Sequence, residues 1–270
     1  MRLIANACII AMLATLCIGC SDNSSEKNNR MEFYSLSGTK VFVMENSAHD
    51  FGRETDVAYR DSVSMVIPDH IYGHDMAVLR DSIMEAAFDT ITDNPADALA
   101  SFYGKNVDCL GYTPVEVSDS AYHDDVDGLT IIMGNVFSLT TRRMTYHIAN
   151  YTYNPGAAHG MESSRYITYD IAEEQIVTLA DLFTAEGLSE LPRLIAAKAK
   201  ALESAIGPTN VESLPSDGNF YVSTDDEIVF VYQPYEVASY AQGIIHIAFY
   251  PYQLSEYLTP QGLNFFGMAD

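Results

Sequence analysis

Tryptophan is absent from this 270-residue chain, and cationic side chains are scarce: 14 lysines and arginines stand against 37 aspartates and glutamates, a formal net charge of −23. So acidic a chain excludes nucleic acid and other polyanions as partners and favours encounter with a cationic protein. Cysteine is sparse too. Cys8, Cys17 and Cys20 fall in the first twenty residues, and Cys109 stands alone downstream. Several motifs of established chemistry are missing: the Gly-x-Ser-x-Gly elbow, the His-Glu-x-x-His zinc pair, the phosphate-binding loop and, beyond Cys20, any Cys-x-x-Cys. After the first twenty residues no apolar run approaches the ~18 needed to span a bilayer.

The first twenty residues are different. Arg2 precedes an apolar run from Leu3 to Ile18 broken only by Asn6 and Thr15. That length suits a signal peptide better than a spanning helix. The run ends in Cys17-Ile18-Gly19-Cys20 and gives way to the polar segment Ser21–Arg30. These residues resemble a bacterial lipobox, with Cys17 where leucine is usual. The resemblance implies cleavage before Cys20 and attachment of that sulfur to lipid in the bilayer. Acyl chains contribute ~0.8 kcal/mol per buried CH₂ and anchor without a transmembrane helix. With Cys20 acylated, Cys109 has no partner, so the exported domain holds by packing alone. Ser21-Asp22-Asn23 resembles the short acidic signal that sends some Bacteroidetes lipoproteins to the cell surface. An outer-membrane lipoprotein on either face of that membrane is the expectation. The chain then divides into a signal peptide (1–19), a flexible tether (20–31), an N-terminal α+β part (32–108) and a C-terminal α+β domain (109–270).

Periodicity supports that division. Phe33–Met44 and Ser62–Ile67 read as strands, the second stopped by Pro68; Met76, Leu79, Ile83, Met84, Ala87, Phe88 and Ile91 fall at helical spacing behind Asp75 as N-cap. Asn94-Pro95 opens a second helix through Phe102. Strands follow at Thr113–Ala121, Leu129–Leu139, Met144–Tyr153 and Arg165–Asp170. Next come a helix capped by Ser189 and ended by Gly207-Pro208, strands at Phe220–Ser223, Glu227–Tyr232 and Gly243–Phe249, and short helical segments at Tyr235–Tyr240 and Tyr252–Leu258. Strands mixed with segregated helices predict an α+β fold, mainly an antiparallel sheet with helices packed on it.

Few residues offer themselves for chemistry. His70 and His74 have helical metal spacing, but Pro68 and Gly73 argue for a loop. His123–Gly128 lacks the calcium loop's first carboxylate and closing glutamate, and reads as an acidic hairpin turn. No metal or cofactor is expected, and no catalytic residue. The most distinctive loop is Tyr153–Gly160, YNPGAAHG. Gly156 and Gly160 permit positive φ, and His159 either braces the turn on carbonyls or faces a ligand. Tyr153, Gly156, His159 and Gly160 form the candidate binding loop.

That loop, with Thr178–Phe183 and the block Phe220–Leu258 (above all Tyr232-Gln233-Pro234-Tyr235-Glu236-Val237-Ala238 and Ala241-Gln242-Gly243), resembles the extracellular domain of RsiV-like anti-sigma factors. These sense lysozyme. The domain also accompanies some peptidoglycan deacetylases and occurs in many Bacteroidetes lipoproteins. The likeness covers roughly residues 55–260. It implies a two-part extracellular architecture and a binding role toward lysozyme or cell-wall peptidoglycan. Neither a sigma-binding segment nor a deacetylase domain is present to imply more. The alternatives are an envelope assembly protein with a protein partner, or a hydrolase.

Overall fold

The computed structural model describes residues 30–92, 94–118 and 126–269. The residues expected to form a signal peptide and a tether, up to residue 29 and including Cys20, therefore lie outside the described residues, as do His123, Asp124 and Asp125. Among the described residues no helix is long and apolar enough to cross a membrane.

The chain opens with two long antiparallel strands, β1 (Met31–Met44) and β2 (Val57–Ile71). In β1, Leu36, Phe42 and Met44 are buried while Phe33, Ser35, Ser37 and Thr39 are exposed, the alternation of a sheet covered on one face. Pro68 does not end β2. It sits where the register with β1 shifts between Glu32 and Phe33, a bulge at which the missing N–H is tolerated.

The chain turns back in the two-residue strand β3 (His74–Asp75) and enters helix α1 (Ala77–Phe88). Asp75 is no cap, because its register with His70 places it in β3 and its carboxylate pairs with Arg80 at 2.9 Å. Met76 stands at the cap position, and Ile91 is exposed beyond the helix. Helix α2 (Pro95–Phe102) starts as expected, with Asn94 accepting from Ala96 N–H at 3.0 Å. Helix α3 (Lys105–Cys109) and strand β4 (Pro114–Val117) follow.

Strands β5 (Gly128–Leu139), β6 (Arg143–Tyr153), β7 (Met161–Asp170) and β8 (Gln175–Val177) form a meander. The whole sheet runs β4-β1-β2-β5-β6-β7-β8, with β3 beside β2. Every pairing is antiparallel except β2–β5, which is parallel from Tyr59↔Gly128 to Met65↔Gly134. That pairing crosses the boundary expected between residues 108 and 109. Strands from both sides share one sheet and one core, in which Leu79, Ile83 and Phe88 of α1 meet Met65, Ile132, Tyr146 and Ile167. Packing changes hands near residue 177 instead.

The rest is a second unit. Helix α4 (Leu179–Leu182) carries a capping box between Thr178 and Asp181. Helix α5 (Ala185–Ala201) begins one turn earlier than expected because Thr184, not Ser189, accepts from Gly187 N–H; Ser189 lies inside it. After α6 (Glu203–Ile206) come β9 (Phe220–Val222), β10 (Ile228–Tyr232) and β11 (Ile245–Phe249), an antiparallel sheet in the order β11-β10-β9. Of Tyr235–Tyr240 only the end is helical, as a 3₁₀ turn at Tyr240–Gln242. A 3₁₀ segment, Pro251–Tyr257, and α7 (Pro260–Phe265) close the chain. One face of the small sheet packs on α4, α5 and α7 through Ile228, Phe230 and Tyr232. The other turns Val229 and Val231 toward Tyr166 of the large sheet. The fold is α+β, as the sequence predicts.

Candidate functional site

The loop Tyr153–Gly160 joins β6 to β7 and is held from both sides. Tyr153 donates its hydroxyl to the Ala157 carbonyl at 3.1 Å. Gly156 takes φ +77° beside Phe51, as a turn without Cβ can. Gly160 is needed for a different reason: its φ is ordinary, but a Cβ there would lie 2.2 Å from the Tyr151 hydroxyl. His159 braces the turn, as one of its two readings requires. Its Nδ1 is 2.9 Å from the Gly160 carbonyl, and its exposed ring joins an aromatic cluster.

That cluster is completed from eighty residues away. The His159 ring stacks on Tyr240 at 3.9 Å between centroids and 21° between planes, and Tyr235 lies 5.7 Å from Tyr240. Tyr240 donates to the Gly160 carbonyl at 2.6 Å, and the Tyr235 hydroxyl is 3.3 Å from His159 Nε2. Tyr151 and Glu162, directly opposite one another across β6–β7 and both exposed, extend the cluster. The Tyr240 hydroxyl is held above its ordinary pKa by desolvation first, then by Tyr151, Glu162 and Tyr235. His159 thus sits in an exposed stack with tyrosines and not in a pocket beside a buried carboxylate.

The neighbours of Tyr235 explain its placement. Tyr232 donates to the Ser213 carbonyl at 2.8 Å. Gln233 accepts from Ser164 N–H at 3.0 Å and donates to the Ser164 carbonyl at 2.7 Å, so its amide docks the second unit on the outer edge of β7. Asn219, buried, does the same with Tyr166 N–H and the Ser164 carbonyl. Glu236 accepts from Gln233 N–H, Ser216 N–H and the Ser216 hydroxyl. Gln242 donates to the carbonyls of Ile206 and Pro208. All of these side chains hold backbone. Tyr235 does not: it is 59% exposed, and its φ of +70° is a left-handed conformation uncommon for a bulky residue. Among the described non-glycine residues at positive φ, Tyr72 is the other tyrosine, and Tyr235 differs from it in standing largely exposed within the cluster.

Other candidates carry less. His70 and His74 lie on opposite sides of the β2–β3 turn, not along a helix: His70 stands opposite Asp75 and His74 opposite Ile71, with His74 paired to Glu174 at 2.8 Å. His70 does approach Asp69 and Glu32, their ligand atoms lying within 4.8 Å of one another, but Arg80 and Arg30 already neutralise the two acids. A cleft of about 640 Å³ with mixed polar and apolar walls runs along the β7 edge between α1 and the Ser216–Gly218 turn; Glu85, Asp89 and Asp217 line it with Arg165 as its cation. A second aromatic group, Phe137, His147, Tyr166, Tyr221 and His246, fills the seam between the sheets, with His147 stacked on Tyr166 at 4.4 Å. Burial lowers the pKa of His147, helped by His246. Of the residues expected in the site, the structure brings His159 and Gly160 into the cluster, while Tyr153 and Gly156 shape the loop behind them. Tyr151, Glu162, Tyr235 and Tyr240 were not legible as site residues, since only tertiary contact unites them.

Comparison with known proteins agrees with this division. Residues 180–252 match the family described as protein of unknown function, DUF3298. A solved member of that family from Bacteroides fragilis NCTC 9343 shares the fold at 18% identity, with a TM-score of 0.65 over 89% of this chain and 98% of that one. A DUF3298 family protein from Pseudomonas aeruginosa PAO1 does so at 13% identity, with a TM-score of 0.55 over 87% and 97%. No curated protein sequence matches. These findings bear out the RsiV-like resemblance at the level of a domain of unknown function, and name no catalytic activity.

Proposed function

We propose that this is an extracytoplasmic binding lipoprotein, tethered through Cys20, and that the aromatic corner at His159 is its contact surface for a strongly cationic protein of the lysozyme type. The observation that carries this reading is Tyr235, exposed at positive φ while every polar neighbour in its segment secures backbone. Tyrosines expose large rigid area at low entropic cost, and their faces attract guanidinium and ammonium groups. Glu162 at the rim adds a carboxylate, and the net charge of −23 speeds encounter with a basic partner. The role is binding, not catalysis.

Titration calorimetry of Arg30–Asp270, which carries every described element, against a c-type lysozyme tests it. Stoichiometric heat should survive a rise to ~0.3 M salt, where general charge attraction is largely screened, and should vanish in Tyr235→Ala. Heat that disappears with salt in the unaltered chain, or persists in the variant, refutes the assignment.

A further inference from the structure

Strand β4 covers β1 only from Val41 to Met44. From Glu32 to Lys40 no described strand lies on that side of β1, so a nine-residue edge about 30 Å long is open to pairing. Natural edges of this length are blunted by prolines, inward charges or repeated bulges. Between Phe33 and Thr39 this one has no proline and no charged side chain, and its bulge lies at the very end. On its uncovered face it presents Phe33, Ser35, Ser37 and Thr39, all exposed, in a chain otherwise strongly acidic.

We infer that this edge pairs with the same edge of a second copy of the chain, antiparallel about a two-fold axis at Leu36. The open stretch runs from 32 to 40, so Leu36 is its midpoint, and an isologous pair centred there uses all of it. In that register Lys40 of each copy stands directly opposite Glu32 of the other, on the helix-covered face, giving two opposite-charge pairs. On the uncovered face Phe33 meets Thr39 and Ser35 meets Ser37, aromatic–β-branched and hydroxyl pairs of the kind that stabilise sheets. Shifting the register by two residues destroys the charge match. One shift sets Lys40 against Arg30, the other against Tyr34. The charged ends therefore specify the register. Lys40 now pairs with Glu116 and Glu32 with Arg30, both at 2.6 Å and both solvent-accessible, so exchanging or sharing these partners costs little. The contact is smaller than a standard interface, which makes the dimer weak and concentration-dependent.

Sedimentation velocity of Arg30–Asp270 from micromolar to submillimolar concentration tests this. The mass should rise toward twice the monomer. Lys40→Glu should abolish the rise, since it sets two glutamates opposite two glutamates, and Glu32→Lys should do so with lysines. An equimolar mixture of these two variants should dimerise again, because both cross-pairs then become Glu–Lys. Circular dichroism of each variant checks that the fold is kept. A chain that stays monomeric throughout, a dimer untouched by either substitution, or a mixture that fails to associate overturns the inference.

Discussion

The two units of this protein solve the same packing problem by different means. The large sheet, residues 31–177, is covered by helices on one face, while the other is open over β1, β2 and most of β5. The small sheet is covered on both faces, by its own helices and by the large sheet. Their buried polar groups differ as well. In the first unit Asp61 Oδ1 and the hydroxyls of Tyr146, Thr168 and Tyr169 lack a hydrogen-bond partner among the described residues. In the second, Asn219, Gln233, Glu236 and Gln242 each grip backbone groups at two or more points. A latch with several partners tolerates no substitution, whereas an apolar contact can be remade by many side chains. The family match, residues 180–252, falls on the unit that carries these latches.

Breaking a latch should have the largest effect. Asn219→Ala strands the buried Tyr166 N–H and should destabilise by about 2–3 kcal/mol. It should also separate the two units in urea unfolding, giving probes in β7 and α5 different midpoints. Coincident midpoints would show that apolar packing alone couples them. The opposite sign is expected in the first unit. Asp61 is fully buried, and burial raises its pKa to about 6, with the bond from Gly104 N–H lowering it in part. The folded state therefore holds a proton that the unfolded state releases near 4. Stability is full below that value, falls as pH rises toward about 6, and stays low above it. Asp61→Asn keeps an acceptor for Gly104 and should stabilise at pH 7 by roughly 2–3 kcal/mol, at 1.36 kcal/mol per pKa unit. A melting temperature no higher than that of the unaltered protein removes Asp61 as a liability.

Tyr235→Gly sharpens the comparison from the other side. Relieving a left-handed tyrosine should raise stability by about 1 kcal/mol while abolishing partner binding. A loss of stability would make Tyr235 a structural residue. The smallest effect concerns the seam. His147 is held neutral, so its contribution is present above pH 6.5 and lost as acid protonates it. His147→Gln should flatten the acid limb of the melting profile, and an unchanged limb would place the acid sensitivity elsewhere.

Much of the fold is legible in the sequence where local pattern and tertiary demand agree. The alternation in β5 and β6 locates those strands to within one residue, and Asn94-Pro95 marks a helix start because cap and fixed φ act locally. Legibility fails where a distant contact decides. Pro68 reads as a stop because the bulge that accommodates it is formed with β1. Asp75 reads as a cap because its pairing with Arg80 and β3 is invisible to spacing. The candidate loop shows itself through its glycines and His159, but three tyrosines and Glu162 complete the corner from other segments, and nothing in Tyr235's neighbourhood announces its positive φ.

The single parallel pairing described, β2 with β5, also bears on how the chain folds. The β1–β2 ribbon and the β5–β8 meander each join strands that are neighbours in sequence, so both can form before the sheet is complete. The sheet becomes one only when Tyr59–Met65 finds Gly128–Gly134 across an intervening stretch that includes three helices. Closing so long a loop carries an entropic cost before any contact rewards it. The late step of folding is thus the meeting of two preformed ribbons. Met65, Gly134 and Tyr146, which interlock so closely that a Cβ on Gly134 would collide with both side chains, lie at that meeting point.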